Sequence, residues 1–514
     1  MKQESLLADT QFLDQAKDYL KNGYAGIEKE SFRLMGNIVS PRRHPSSLGS
    51  PLTNKFITTD FGESLLEFVT RPESNNKKLL SFLDHIHYFF YTKVDDEILW
   101  PFSFPPEVSA ESEIKIAEYG DSNIAQLKNL YRKGLSARYG RLMQSISGIH
   151  FNYSLHPEIL KLIELEYGKR KGLTKNDIYI GGVRNILRLN WLLVYLFGSS
   201  PFVTKNFSVD DKKEFYQSSG VFLSKNATSL RMSDFGYSVP AQHKFKLSFN
   251  TLAEYIDSVS KYIDLKNPEF DFNDMNSSHI DQISTSYLQT EDELYSAARP
   301  KSNFNKDQRT LLNLSNGGID YIELRSVDIN PFFRSGIDEK TIHFLEAFII
   351  FCIFDNSPYM TTEEFSCCKR NDQLVSRYGR KKGIVLQRGN KEVSIKEWSL
   401  EIFLRMEPIL DLLEFNENDR DLLERRFIDI DSLPSLMVEQ MIHEQNNNFV
   451  DYSIEIAKQN KSSLIDEFKI DSNIIKLLED EASRSIKETN AIESNQEISF
   501  TEYLSQYLRG INND

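Results

Sequence analysis

Polar and acidic residues recur at every second position of short apolar runs, and this spacing most restricts the fold. Gly26-Ile27-Glu28-Lys29-Glu30-Ser31-Phe32 carries two acids two residues apart. Ile149-His150-Phe151-Asn152-Tyr153 and Tyr321-Ile322-Glu323-Leu324-Arg325 repeat the alternation with a histidine, an amide, an acid and an arginine. A strand turns successive side chains to opposite faces, whereas a helix brings together residues three or four apart. Glu28 with Glu30, His150 with Asn152, and Tyr321 with Glu323 and Arg325 therefore each share a face. If those faces converge, hard oxygen ligands gather in the way that holds divalent metal and phosphate.

Each segment alone has a plainer explanation. Polar residues at every second position fit a strand with one wet face. Asp60 and Glu67 share a face across a helical turn, with Glu63 between them; Asp60 as N-cap with Glu63 fits a capped helix start equally well. His150 in an apolar strand fits a satisfied core histidine. Glu323 with Arg325 fits a cross-strand ion pair. Arg231, in Ser229-Leu230-Arg231-Met232-Ser233-Asp234, either binds a carboxylate or phosphate bidentately or pairs with Asp234. The basic residues around Arg132 fit a solvated helix face.

The texture along the chain predicts a helix over about 8–21, then strand-like runs, then a helix over about 76–97. A rigid Trp100–Pro106 loop follows, and then a basic-faced helix over about 122–145. A long helix is expected at about 176–197, mixed loop-rich chain to 248, and another helix at about 250–264. Strands near 285–300 and 317–327 flank the Glu323 motif. Beyond about 338 the periodicity is helical, over 338–355, 396–427, 434–446, 449–469, 472–488 and 498–509. No linker or repeat divides the chain, so it reads as one domain over 1–514. Its catalytic strands lie mainly in 20–335 and its helical part in 338–514. Strands segregated from helices indicate α+β rather than alternating βαβ.

Composition excludes other classes. Of 514 residues 40% are hydrophobic and 12% aromatic, enough for a large core. A net charge of −14 argues against nucleic acid or an anionic membrane as the main partner. The three cysteines, Cys352, Cys367 and Cys368, match neither a disulfide framework nor a zinc spacing. Met1-Lys2-Gln3-Glu4-Ser5 opens a polar stretch with no basic region followed by an apolar core, so a secretory leader is not expected here, and Ala347–Phe354, the longest apolar run, falls far short of the roughly 20 residues that span a bilayer. These features lead us to expect a cytoplasmic protein. Glycine-rich phosphate loops and the G-x-S-x-G motif are also missing, so an ATP enzyme built on this chain holds phosphate through metals and arginines.

Taken in order, the segments resemble the bacterial type 1 glutamate–cysteine ligase (γ-glutamylcysteine synthetase) family. The matching stretches are Gly26–Leu34, Ile57–Phe68, Trp100-Pro101, Tyr131–Gly140, Met143–Ser154 and Thr228–Tyr237. They continue with Glu293-Leu294-Tyr295, Arg299-Pro300-Lys301 and Tyr321–Phe332. The resemblance implies a glutamine-synthetase-like fold, a curved antiparallel sheet forming an open funnel surrounded by helices. It also implies ATP-dependent joining of the glutamate γ-carboxyl to the cysteine amine, the first step of glutathione synthesis. The implied metal ligands are Glu28, Glu30, Asp60, Glu67, His150 and Glu323, for two or three Mg²⁺ ions with Mn²⁺ as a substitute. Tyr131, Tyr237 and Tyr295 are the implied walls of the cysteine pocket, with Gln144 as a further substrate contact. Arg132, Arg231 and Arg325 are the implied cations for phosphate and substrate carboxylate, Arg132 and Arg325 acting in catalysis. Glutamate, cysteine and ATP are the expected partners of a monomer subject to feedback by glutathione. A ligase using another amine, or a silent binding protein, are the alternatives.

Overall fold

The alternating acids do lie on strands, and the longest of these organises the molecule. The computed structural model describes residues 5–165, 172–209, 213–236, 239–271, 281–305, 308–444 and 449–509. In chain order the strands are β1 (Tyr24–Met35), β2 (Ile38–Val39), β3 (Ile57–Thr59), β4 (Leu65–Val69), β5 (Glu97–Leu99) and β6 (Ile149–Ser154). They continue with β7 (Phe202–Thr204), β8 (Phe215–Ser218), β9 (Val221–Ser224), β10 (Ala298–Lys301), β11 (Tyr321–Val327), β12 (Val385–Arg388) and β13 (Lys391–Ser394). The main sheet runs β10-β11-β6-β1-β4-β3, with β2 and β5 also paired to β1. Its pairings are antiparallel. β10 and β3 are its two ends, so the sheet does not close on itself. The expected α+β architecture with an open antiparallel sheet is met.

One face of this sheet is dry. Ile27, Leu66, Phe68, Phe151, Tyr153, Ile322 and Leu324 are fully buried there. For the aliphatic and phenylalanine side chains among them, each such burial contributes about 1.5–3 kcal/mol relative to exposure. The helices Asn76–Lys93, Lys175–Phe197 and Glu339–Phe354 pack against the sheet. Every residue from Phe344 to Phe354 is buried, so the longest apolar run is the central helix of the core. Thr174 and Asp177 form a reciprocal capping box that starts the Lys175–Phe197 helix. The largest of the core clusters runs from Leu6 to Ala482, joining the early strands to the late helices. No helix among the described residues is long and apolar enough to cross a membrane.

The structure departs from the sequence reading in several places. Asp60 and Glu67 lie on a β-hairpin, so neither the helical turn nor the capped helix start is formed. The Asp60 N–H donates to the Leu65 carbonyl and the Leu65 N–H to that of Gly62, closing the turn. The segment 285–300 is a strand only over β10. Before it, buried Glu293 accepts the Gln289 N–H at 2.7 Å, and this bond replaces a ladder with a 3₁₀ turn at Glu291–Glu293. A helix at Thr362–Tyr378 and the β12–β13 hairpin escaped the periodicity reading. The stretch expected as one helix over 396–427 is two, Ile395–Leu412 and Glu417–Ile428, separated where Glu414 takes a φ of 60° and Asn416 caps the second. Cys352 and Cys368 are buried thiols, and half-buried Cys367 donates to the Gln387 carbonyl at 3.5 Å.

Candidate active site

Strand register brings the acids together. In the antiparallel ladders Glu28 lies opposite His150, Glu30 opposite Glu67, and Glu323 opposite both Asn152 and Arg299. Residues directly opposite share a face. A single band therefore crosses the sheet from Thr58 on β3, through Glu67, Glu30 and Glu28, to His150 and Asn152, and on to Glu323 and Arg299. Asp60 continues β3 on the side of Thr58. The other face is the dry one, which explains why apolar and polar residues alternate in these runs.

The cage is tight. The His150 Nδ1 lies 3.1 Å from Glu28 Oε2 and 3.7 Å from Glu323 Oε1, and its Nε2 lies 3.7 Å from Glu30 Oε1. Asn152 Nδ2 donates to Glu28 Oε1 at 2.8 Å, and the Gly148 N–H to Glu30 Oε2 at 2.8 Å. Burial and the Arg325 charge push the His150 pKa down, outweighing the Glu28 hydrogen bond, so the ring is neutral. A neutral imidazole carries one N–H. With Nδ1–H given to Glu28, the Nε2 lone pair faces the Glu30 carboxylate, an arrangement that a cation between them relieves.

The carboxylates divide into two groups. Burial, with the Asp60 charge, pushes Glu30 up to about 8. Burial and the charges of Glu28, Asp60 and Glu30 raise Glu67 well above the usual range. Burial acts upward on Glu323 as well, but the charges of Lys301 and Arg325 outweigh it and hold it low. Burial is likewise outweighed at Glu28, where the His150 hydrogen bond and Lys301 favour the charged form. Ligand atoms of Glu28, Glu67 and His150 lie within 4.8 Å of one another. The buried Glu323 Oε2 and Asn152 Oδ1 have no hydrogen-bond partner among the described residues. Oxygen-rich donors, orphaned acceptors and two carboxylates uneasy in their charged form fit a divalent cation.

The remaining predicted residues surround this band. Arg132, on the helix Asn123–Tyr139, donates from Nε to the Asp60 carbonyl and stacks 4.8 Å over the Tyr119 ring. Tyr119 in turn donates to the Thr59 carbonyl at 2.9 Å, tying that helix to the hairpin. Gln144 donates to the Tyr295 hydroxyl at 2.6 Å, and Tyr139 meets the Tyr295 ring edge-on. Tyr131 sits on the same helix as Arg132, with its carbonyl accepting from Gln289. Tyr237 lies outside the described residues. Arg325 Nη1 donates to Glu323 Oε1 at 3.0 Å. Arg231 is 1% exposed, and its Nη2 donates to the Arg325 carbonyl at 2.9 Å. Its acidic neighbour is Asp328 at 3.7 Å; Asp234 is held by Arg377 instead.

Sequence reasoning assigned no role to Asn152, Arg299 or Lys301. Lys301 Nζ lies 4.0 Å from Glu323 Oε2, and Lys301 is paired across the ladder with Tyr321. The same two-residue alternation marked all three: Asn152 follows His150 by two, and Lys301 follows Arg299 by two.

Comparison with known proteins identifies the family. The model of the glutamate-cysteine ligase family matches residues 10–375. A glutamate–cysteine ligase of Pseudomonas putida is 38% identical over 458 residues, covering 85% of this chain and 86% of the relative. One from Alcanivorax borkumensis is 34% identical over 499 residues, covering 94% and 95%. Among solved structures, the glutamate–cysteine ligase of Francisella tularensis in complex with AMP superposes with a TM-score of 0.89 at 29% identity. That match covers 96% of this chain and 98% of the other. The chain belongs to the glutamate–cysteine ligase family.

Proposed function

We propose that the chain joins the γ-carboxyl of L-glutamate to the amine of L-cysteine at the expense of ATP. The products are γ-glutamylcysteine, ADP and phosphate, formed through γ-glutamyl phosphate. What carries the reading is the band of carboxylates and histidine on one sheet face, flanked by Arg132, Arg325 and Lys301, in a chain of this family. Glu28, Glu30, Asp60, Glu67, His150 and Glu323 would hold two or three Mg²⁺ ions, or Mn²⁺ in their place. When bound, such ions neutralise charge on the phosphates of ATP.

A carboxylate is a poor electrophile, so its oxygen first attacks the terminal phosphorus of ATP and ADP leaves. Arg325 and Arg132 offer guanidinium donors to the phosphoryl oxygens as charge shifts during that transfer. Arg231 binds a carboxylate of glutamate. Tyr131 and Tyr295 line the pocket for cysteine, and Gln144 fixes the Tyr295 hydroxyl; for Tyr237 the same role rests on the sequence resemblance alone. The cysteine amine then attacks the acyl carbon and phosphate departs. Holding amine and acyl phosphate in line accounts for much of that second step. In this reading the whole chain works as one domain, a cytoplasmic monomer subject to feedback by glutathione.

Coupled ADP release tests it, with glutamate, cysteine and Mg²⁺ each omitted in turn. Full release is expected only when all three accompany ATP. Release that prefers another amine would move the reading to a related ligase, and no release with any amine would overturn it.

A further inference from the structure

Asp328 follows β11 directly and is 1% exposed. Its Oδ2 accepts the Ser199 N–H at 2.9 Å and the Ser200 hydroxyl at 2.6 Å, and its Oδ1 accepts the Ser229 hydroxyl at 2.9 Å. Oδ1 also lies 3.7 Å from Arg231 Nη1. Ser199 and Ser200 follow the Lys175–Phe197 helix, and Ser229 caps the 3₁₀ turn that carries Arg231. Taking a carboxylate out of water is costly unless it is paired and hydrogen-bonded. This one is held by donors from two other segments and a guanidinium, and none of these four partners belongs to the acidic band.

The guanidinium it faces closes an irregularity in the catalytic strand. Along β6 and β11, Leu324 pairs with Phe151 but Val327 pairs with Ile149. β11 therefore carries one extra residue around Arg325 and Ser326. Such a bulge releases a ladder carbonyl and re-aims the neighbouring side chains. Arg231 Nη2 donates to the Arg325 carbonyl at 2.9 Å, while Arg325 Nη1 reaches Glu323 at 3.0 Å. Gly148 leaves room for this: a Cβ there would lie 1.9 Å from Arg231 Nη2.

We propose that Asp328 is a positioning residue, which through the Arg231 guanidinium fixes the β11 bulge and so aims Arg325 into the site. The proposal rests on the reading of Arg325 and Arg231 as groups that serve the substrates. Asp328 thereby couples the two arginines, although it touches no substrate itself.

The test is a double-mutant cycle of Asp328→Asn and Arg231→Lys, read as kcat and KM for ATP and glutamate, with thermal unfolding alongside. Asp328→Asn is expected to lower kcat by about ten- to a hundredfold, the scale of an ångström-sized misplacement. In the Arg231→Lys background it should slow the enzyme no further, because residues acting as one unit are not additive. Ser229→Ala, a milder loosening of the same carboxylate, should show a smaller loss and the same lack of additivity, which keeps the test open if Asp328→Asn folds poorly. Multiplying losses, or a loss of less than twofold at Asp328 with the fold intact, would make Asp328 a structural staple and overturn the proposal. An unchanged KM for glutamate in Arg231→Lys would instead remove Arg231 from carboxylate binding, and the coupling would still decide the role of Asp328.

Discussion

The two ends of the acidic band differ in how their charge is met. At the β11 end, Glu323 and Glu28 lie near the cations Lys301 and Arg325, with the His150 ring hydrogen-bonded to Glu28, and both are held low despite burial. At the β4 end, Glu67 and Glu30 face each other across the ladder with Asp60 close by, and both are pushed upward. Protein cations satisfy the first end and leave the second wanting. Under the proposed function this contrast would divide the labour: the β4 end would take the divalent cation, and the cations at the β11 end would serve phosphate.

Glu67→Gln is the sharpest way to break this comparison. Turnover should fall by about a thousandfold or more if Glu67 holds a metal as proposed, since Arg132 nearby does not by itself keep the buried acids of this end charged. The same change should leave the metal-free fold intact or more stable, because it removes a carboxylate that burial and three neighbouring acids disfavour. Near-normal ADP release at saturating Mg²⁺ would show that Glu67 holds no metal. Chelation provides the companion measurement. Removing divalent cations with EDTA should lower the unfolding temperature of the wild type, because a ligand bound only to the folded state stabilises it. The effect of EDTA should shrink in Glu67→Gln.

A change at the other end should behave differently. Lys301→Met removes a cation 4.0 Å from Glu323 and leaves every acid in place. We expect kcat/KM for ATP to drop roughly tenfold to a hundredfold, in line with the loss of one donor to a transferring group. The Mg²⁺ dependence of unfolding should persist. If Lys301→Met instead abolished that dependence while sparing ATP, the division between the two ends would be wrong.

Much of this site was legible because β-sheet geometry is written locally. The two-residue alternation at Glu28/Glu30, His150/Asn152 and Glu323/Arg325 puts each pair on one face, whichever strands lie alongside. What alternation cannot show is which strands become neighbours. The pairing of Glu30 with Glu67 depends on a hairpin that the Asp60–Glu67 spacing concealed, because acids seven residues apart suit a helix equally well. The partner of Arg231 was hidden for a related reason: Asp234 is three residues away and Asp328 nearly a hundred, and only folding brings the distant one in. Lys301 went unassigned because a lysine at a strand end is usually solvated, and its approach to Glu323 appears only once β10 and β11 are paired. In the helical part, the break at Leu413–Asn416 was missed because the apolar stripe continues through it.

A buried acid on the dry side of the sheet supplies the control for these electrostatic arguments. Glu346 sits on the central helix Glu339–Phe354, 5% exposed, with Asn76 Nδ2 donating to it at 2.8 Å. Burial raises its pKa to about 7, with the Asn76 bond opposing. The folded form thus binds a proton that the unfolded chain releases above pH 4.5. The stabilising effect of that proton is complete below the unfolded value and is lost as pH rises through about 7. Above that pH the deficit approaches about 3 kcal/mol, since each tenfold difference in proton affinity between the folded and unfolded forms is worth about 1.4 kcal/mol. Glu346→Gln should therefore raise stability at about pH 8 by up to about 3 kcal/mol, change it little at about pH 5, and leave turnover and Mg²⁺ dependence unaltered. Denaturant unfolding at the two pH values checks this. Equal effects at both would mean that the gain comes from packing rather than charge. A loss of Mg²⁺ dependence would mean that the two faces of the sheet are not electrically separate, and the contrast between the ends of the band would then need a wider set of charges to explain it.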